Sequence, residues 1–91
     1  MIDLEFQDYC DRVESEFFRQ KARTGVLSPR DFALVKNWFE SGVPLRVVLE
    51  GIDDAFGAQS AGRAGGTEEV NSLSFCESFV ERALDRRRPN L

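Results

Sequence analysis

The chain has 91 residues, 16 acidic and 12 basic side chains, a net charge of −4, no histidine and two cysteines. That length fits one small domain with no room for a second core, and 42% hydrophobic residues, among them eight Phe and one Trp, exclude wholesale disorder. Without histidine the chain lacks the commonest general base and zinc ligand.

Cys10 and Cys76 stand too far apart in sequence for a zinc-type or redox CxxC pair. No run reaches the roughly 18–20 apolar residues of a membrane span, and the acidic N-terminus lacks the basic start of a signal peptide. The expectation is a soluble, cytoplasmic, all-α domain over residues 1–91, with no catalytic residues, no metal and no cofactor.

The first predicted helix runs from about Asp3 to Arg23. Phe6, Tyr9, Cys10, Val13 and Phe17 recur at steps of three and four, which places them on one helical face. Acids (Asp3, Glu5, Asp8, Asp11) open the segment and bases (Arg19, Lys21, Arg23) close it, complementing the helix dipole. Thr24-Gly25 ends the pattern.

A second helix starts at Leu27-Ser28-Pro29-Arg30-Asp31-Phe32. Ser28 is placed to cap it and Pro29 sits where a missing N–H costs nothing. Asp31 occupies the position of a short capping box, with Leu27 and Phe32 as the hydrophobic staple. Phe32, Val35, Trp38 and Phe39 form its apolar stripe, and Gly42 suits a left-handed stop. Capping also explains Ser28 to Asp31 better than a phosphorylation site does.

Val43-Pro44 restarts the chain. Leu45, Val48, Leu49, Ile52, Ala55 and Phe56 make a third stripe that is expected to end at Gly57. Gly51 inside it sacrifices about 1 kcal/mol of helix propensity, which close approach of a neighbouring helix would explain. Residues 57–70, rich in Gly, Ala and Ser up to Thr67, read as a long mobile loop. Its Gly62 to Gly66 stretch lacks the Gly-Lys-Ser/Thr ending of a P-loop. Asn71 or Ser72 then caps a fourth helix with Leu73, Cys76, Phe79, Val80, Ala83 and Leu84 on its inner face, fraying through Asp85 to Arg88, so that residues 86–91 form a frayed tail.

With these segments laid out, the stretch from Leu27 to Leu84 resembles the C-terminal helical domain of the DnaD family of replication proteins. The resemblance lies in Leu27-Ser28-Pro29, the Trp38-Phe39-Glu40-Ser41-Gly42 helix end, the Leu45 to Phe56 helix and the final helix. It implies an all-helical fold and a link to DNA replication. Phe75 and Phe79 stand where that family carries its last-helix aromatics, with no Trp, and its basic DNA-contacting tail is reduced to Arg86-Arg87-Arg88.

The expected architecture is a compact four-helix domain whose first and last helices pack against a central helix–Gly–helix pair. Val35, Trp38, Phe39, Leu49, Ile52 and Phe79 are its expected core, and Ser28 its cap. Cys10 and Cys76 read as free thiols on apolar faces. Glu50, Asp53 and Asp54 read as a solvated acidic face.

A helix-turn-helix reader would use the third helix, but those acids oppose Arg46 alone there, and an acidic chain is poorly matched to phosphate. The function expected is a non-catalytic protein-interaction or adaptor module with a protein partner. The alternative is weak nucleic-acid binding through Arg82, Arg86, Arg87 and Arg88. Self-association through Phe18 or Phe75 is a further expectation.

Overall fold

The computed structural model describes residues 4–21, 25–60 and 72–87. Within them the helical periodicities become four helices, α1 (Leu4–Lys21), α2 (Pro29–Glu40), α3 (Leu45–Ser60) and α4 (Leu73–Arg87), and no strand occurs among the described residues. Of the stripe read on α1, Tyr9, Val13 and Phe17 are buried while Phe6 and Cys10 are half-buried. Asp3 and residues 22–24 at its expected ends lie outside the described residues, as do 61–70 of the expected loop, Asn71 of the expected cap and 88–91 of the tail.

α2 is specified at both ends. The Ser28 hydroxyl accepts a hydrogen bond from the Asp31 N–H at 3.2 Å, and Pro29 opens the helix. At the other end the Gly42 N–H bonds the Phe39 carbonyl and the Val43 N–H bonds the Trp38 carbonyl, with Gly42 at φ 79°. This pair of bonds is the Schellman arrangement, and it needs the left-handed residue that glycine supplies.

The Asp31 carboxylate does not close a capping box on its own helix. It is buried, and its Oδ1 accepts the Leu73 N–H at 3.3 Å, capping α4 across the domain. An orphan N–H at a helix start needs an acceptor, and here tertiary packing supplies one.

Two further helix ends differ from expectation. α3 does not stop at Gly57 but continues to Ser60. Glycine ends a helix readily only where φ turns positive, and among the described residues that happens at Gly42 alone. α4 does not fray from Asp85 but stays helical to Arg87, because Arg86 and Arg87 are held by carboxylates on α3.

The helices close into a ring. α3 packs most extensively on α4, and α1 on α3, α1 on α2 and α2 on α4 complete the circuit; the diagonal pairs α1–α4 and α2–α3 touch little. The expected central pair is therefore a diagonal. Its short link, with Gly42 and Pro44, lets only the adjoining ends meet, and each helix turns its apolar face to α1 on one side and α4 on the other.

The shared core includes Val13, Phe17, Val35, Val47, Val48, Ile52, Leu73, Cys76 and Val80, all essentially without exposure. Full burial of each large aliphatic among them contributes about 1.5–3 kcal/mol before the entropy of ordering is charged against it. Trp38 is 4% exposed, and Phe39 and Phe79 are half-buried rings packed against this core. Leu49 is not part of it. It is half-buried at the margin, and Val47 is buried instead. The reason is Gly51, where a Cβ would lie 2.5 Å from Val80 Cγ2 and 2.6 Å from Val80 Cα. α4 seats directly on that glycine, which centres the buried stripe of α3 on Val47, Val48, Gly51, Ile52 and Ala55.

Candidate functional site

α4 segregates its charges along its length. Glu77, Glu81 and Asp85 recur every four residues and form one rail, while Arg82, Arg86 and Arg87 lie elsewhere on the helix. The two groups do different things.

The arginines Arg86 and Arg87 meet α3. Arg86 Nη2 donates to Glu50 Oε1 and to Asp54 Oδ2, both at 2.8 Å. Arg87 donates from Nη2 at 2.7 Å and from Nε at 3.1 Å to Glu50 Oε2. Glu50 and Asp54, one turn apart on α3, are thus half-buried partners of two guanidiniums rather than a freely solvated face. The hydrogen bonds from Arg86 and then Arg87 hold the Glu50 carboxyl below its usual pKa, and those to Glu50 and Asp54 raise that of Arg86. Asp53 accepts instead from the Gln20 amide of α1 at 2.9 Å. Arg82 lies over the Phe79 ring at 5.3 Å, and that ring stacks on Phe75. Of the arginines singled out from the sequence, the structure brings Arg86 and Arg87 together on one carboxylate and places Arg82 one turn before Arg86.

The acidic rail borders a cleft of about 340 Å³ between the end of α2 and α4. Trp38, Val43, Val80 and Leu84 form its floor, Glu77, Glu81 and Asp85 one wall, and Asn37 and Ser41 the other. Glu77 and Glu81 make no ion pair among the described residues. The C-terminal end of α2 faces the same region without a basic residue in its last turn, so its dipole adds to the negative potential. Periodicity alone marked Trp38 as core. What it missed is that the ring lines a cleft, because that depends on where α4 lands.

The α1–α2 side carries an aromatic edge. Phe6 meets Phe32 at 5.6 Å and Phe39 at 5.2 Å between ring centroids, and Tyr9 meets Phe39 at 5.2 Å, all edge-on. Phe32, read as part of the inward stripe, is 43% exposed. Phe18 is half-buried and packs on Phe17, with Lys21 over both rings.

Both cysteines are free thiols. Burial pushes the Cys76 pKa up to about 12, with the nearby Asp31 charge adding to it, and burial followed by Glu14 and Asp11 raises that of Cys10. Neither is activated as a nucleophile, which needs a lowered pKa or an adjacent base. Among the described residues no helix is long and apolar enough to cross a membrane, and no group of acids and thiols forms a metal cluster.

No curated protein and no solved structure matches the chain. A family model described as an uncharacterised protein matches residues 8–88, which takes in α2, α3, α4 and most of α1, and the chain belongs to that family.

Proposed function

We propose that this domain is a non-catalytic, cytoplasmic protein-interaction or adaptor module, linked to DNA replication as the DnaD resemblance implies. One observation carries the reading: the Trp38-floored cleft between α2 and α4, bordered by Glu77 and Glu81, which make no ion pair among the described residues. A cleft of that size accepts one or two side chains of a partner, and a fixed aromatic floor makes an anchor point of the kind that dominates interfaces. The acidic wall selects for bases on the partner and against acids.

The test places a photo-crosslinking residue at Asn37 in the cleft and, in a second variant, at Ser15 on the exposed outer face of α1, in the native host. A discrete adduct from Asn37 that is absent from Ser15 and lost with Glu77→Lys/Glu81→Lys supports the reading. Adducts of equal yield from both positions, or none from Asn37, would remove it.

The second reading is weak nucleic-acid binding through Arg82, Arg86, Arg87 and Arg88. It is favoured by Arg82, Arg86 and Arg87 gathering in the last turns of α4, and it is held weak by the carboxylates that already occupy two of them.

A further inference from the structure

We infer that Arg86 and Arg87 form a binding site for the phosphates of a nucleic-acid backbone, and that the chain keeps it closed with its own Glu50 and Asp54. The inference deepens the second reading above and rests on it; the interaction reading is independent, since it uses other residues of α4.

The geometry carries it. A guanidinium presents a rigid fork of donors that fits carboxylate and phosphate oxygens alike. In this domain both guanidiniums are engaged: Arg86 spans Glu50 and Asp54 from its Nη2, and Arg87 grips the second oxygen of Glu50 through Nε and Nη2. Those three carboxylate oxygens stand where phosphate oxygens would stand. The site is also reachable, because the Arg86 and Arg87 side chains keep 53% and 46% of their surface in solvent. Ion pairs at that exposure are individually weak and exchangeable.

The clamp is not what joins α3 to α4. Gly51 seats on Val80, and Ile52, Ala55 and Ala83 are buried without any help from the arginines. Opening the clamp therefore exchanges one anion for another and leaves the helices where they are. What the clamp does is set a threshold. A phosphate must displace carboxylates that the fold holds in place and that never diffuse away, an intramolecular competitor at high effective concentration. Arg82, one turn before Arg86, extends the cationic strip once the forks are free.

The experiment uses the full chain and a fluorescein-labelled DNA duplex, with anisotropy read at about 0.05 and 0.15 M salt. Glu50→Gln/Asp54→Asn should bind about tenfold tighter than the unmodified chain, the sum of several weak pairs. Its salt slope should steepen by about 0.9 for each phosphate newly engaged. Glu77→Gln/Glu81→Gln makes the same change in net charge but touches no arginine, so it should tighten binding by less than about threefold. Adding Arg86→Ala and Arg87→Ala to the first variant should return affinity to the starting level. Competition by inorganic phosphate at low millimolar concentration would assign the site to free phosphate and overturn the nucleic-acid assignment. If the double variant loses its fold, Asp54→Asn alone, which frees one side of Arg86, decides by a smaller shift in the same direction. Equal tightening by the two double variants would reduce the effect to bulk charge and overturn the inference, and so would no change in either.

Discussion

The α3–α4 and α1–α2 pairs are both antechambers to one core, yet they are built on opposite principles. α3 meets α4 through backbone proximity: Gly51 leaves no room for even a methyl group against Val80, and Val48, Ile52 and Ala55 on the same stripe of α3 are fully buried. α1 meets α2 through large rings set edge to edge, Phe6, Tyr9, Phe32 and Phe39, several of them in contact with solvent. Polar tethers supplement the rings. The Tyr9 hydroxyl donates to the Val43 carbonyl at 2.8 Å, and the Leu27 N–H donates to Glu14 at 3.0 Å. The difference teaches where substitution is tolerated: a ring can tilt to fill space, whereas backbone against backbone has no freedom to adjust.

Trp38 is the strongest place to break the arrangement, because it rises from α2 and faces α4, joining the two pairs. It is buried, and Trp38→Ala should cost about 3–5 kcal/mol, enough to unfold a domain of this size. A melting temperature close to that of the unmodified chain would show that the ring is not part of the packing.

Gly51→Ala tests the tight pair directly. Alanine regains about 1 kcal/mol of helix propensity, so at an open site it would stabilise. Here the added methyl meets Val80 backbone atoms at 2.6 and 2.7 Å, and the helices must separate. The expected net effect is a loss of about 1–3 kcal/mol by urea denaturation. A neutral or stabilising alanine would mean that α3 and α4 stand further apart.

Tyr9→Phe tests the looser pair. The ring stays and the hydroxyl goes, leaving the Val43 carbonyl without its bond, for an expected loss of about 1–3 kcal/mol. Tyr9 is the sole tyrosine, and burial raises its pKa from 10.0 to about 12. Between pH 10 and 12 the unfolded chain therefore gives up a proton that the folded one retains. Stability falls as pH rises through that window, by at most about 1.4 kcal/mol per pH unit for each such group; Tyr9→Phe should remove the tyrosine's share and leave that of the buried Cys76 thiol, likewise raised to about 12. Phenolate absorbance appearing near pH 10 in the folded protein would place the hydroxyl in solvent.

What the sequence made legible follows the same division. Helix identity, the Ser28 cap and the Gly42 stop are local, written in spacing and turn chemistry within a few residues. Gly51 was legible as an anomaly, a propensity cost in want of a neighbour. What could not be read was which neighbour, and so the rotation of α3 that buries Val47 and leaves Leu49 at the margin. The clamp was hidden for the same reason. Glu50 and Asp54 share a helix face and Arg86 and Arg87 are adjacent, but nothing in either spacing says that the two meet across more than 30 intervening residues. The ring order of helices, which makes α2 and α3 a diagonal, likewise depends on long-range packing that a short link does not encode.

The two caps on the 28–31 segment set local against tertiary information most cleanly, and the Ser28 cap carries the smallest effect of all. Ser28 caps its own helix, an interaction readable from four adjacent residues, and Ser28→Ala should cost about 0.5–2 kcal/mol, with Ser28→Asp nearly neutral because aspartate caps as well as serine. Asp31, three residues on, caps α4 instead, through a buried bond to the Leu73 N–H. Asp31→Ala leaves that N–H buried without an acceptor, so its cost should equal or exceed that of Ser28→Ala, toward about 1–3 kcal/mol. Asp31→Asn, which keeps an oxygen in place, should recover part of the loss. Hydrogen exchange separates the two caps. Ser28→Ala should lower protection first at the start of α2, and Asp31→Ala at the start of α4, some 40 residues away along the chain. If Asp31→Ala instead loosened only the first turn of α2, the carboxylate would be closing the local capping box, and the tie between the two helices would not exist.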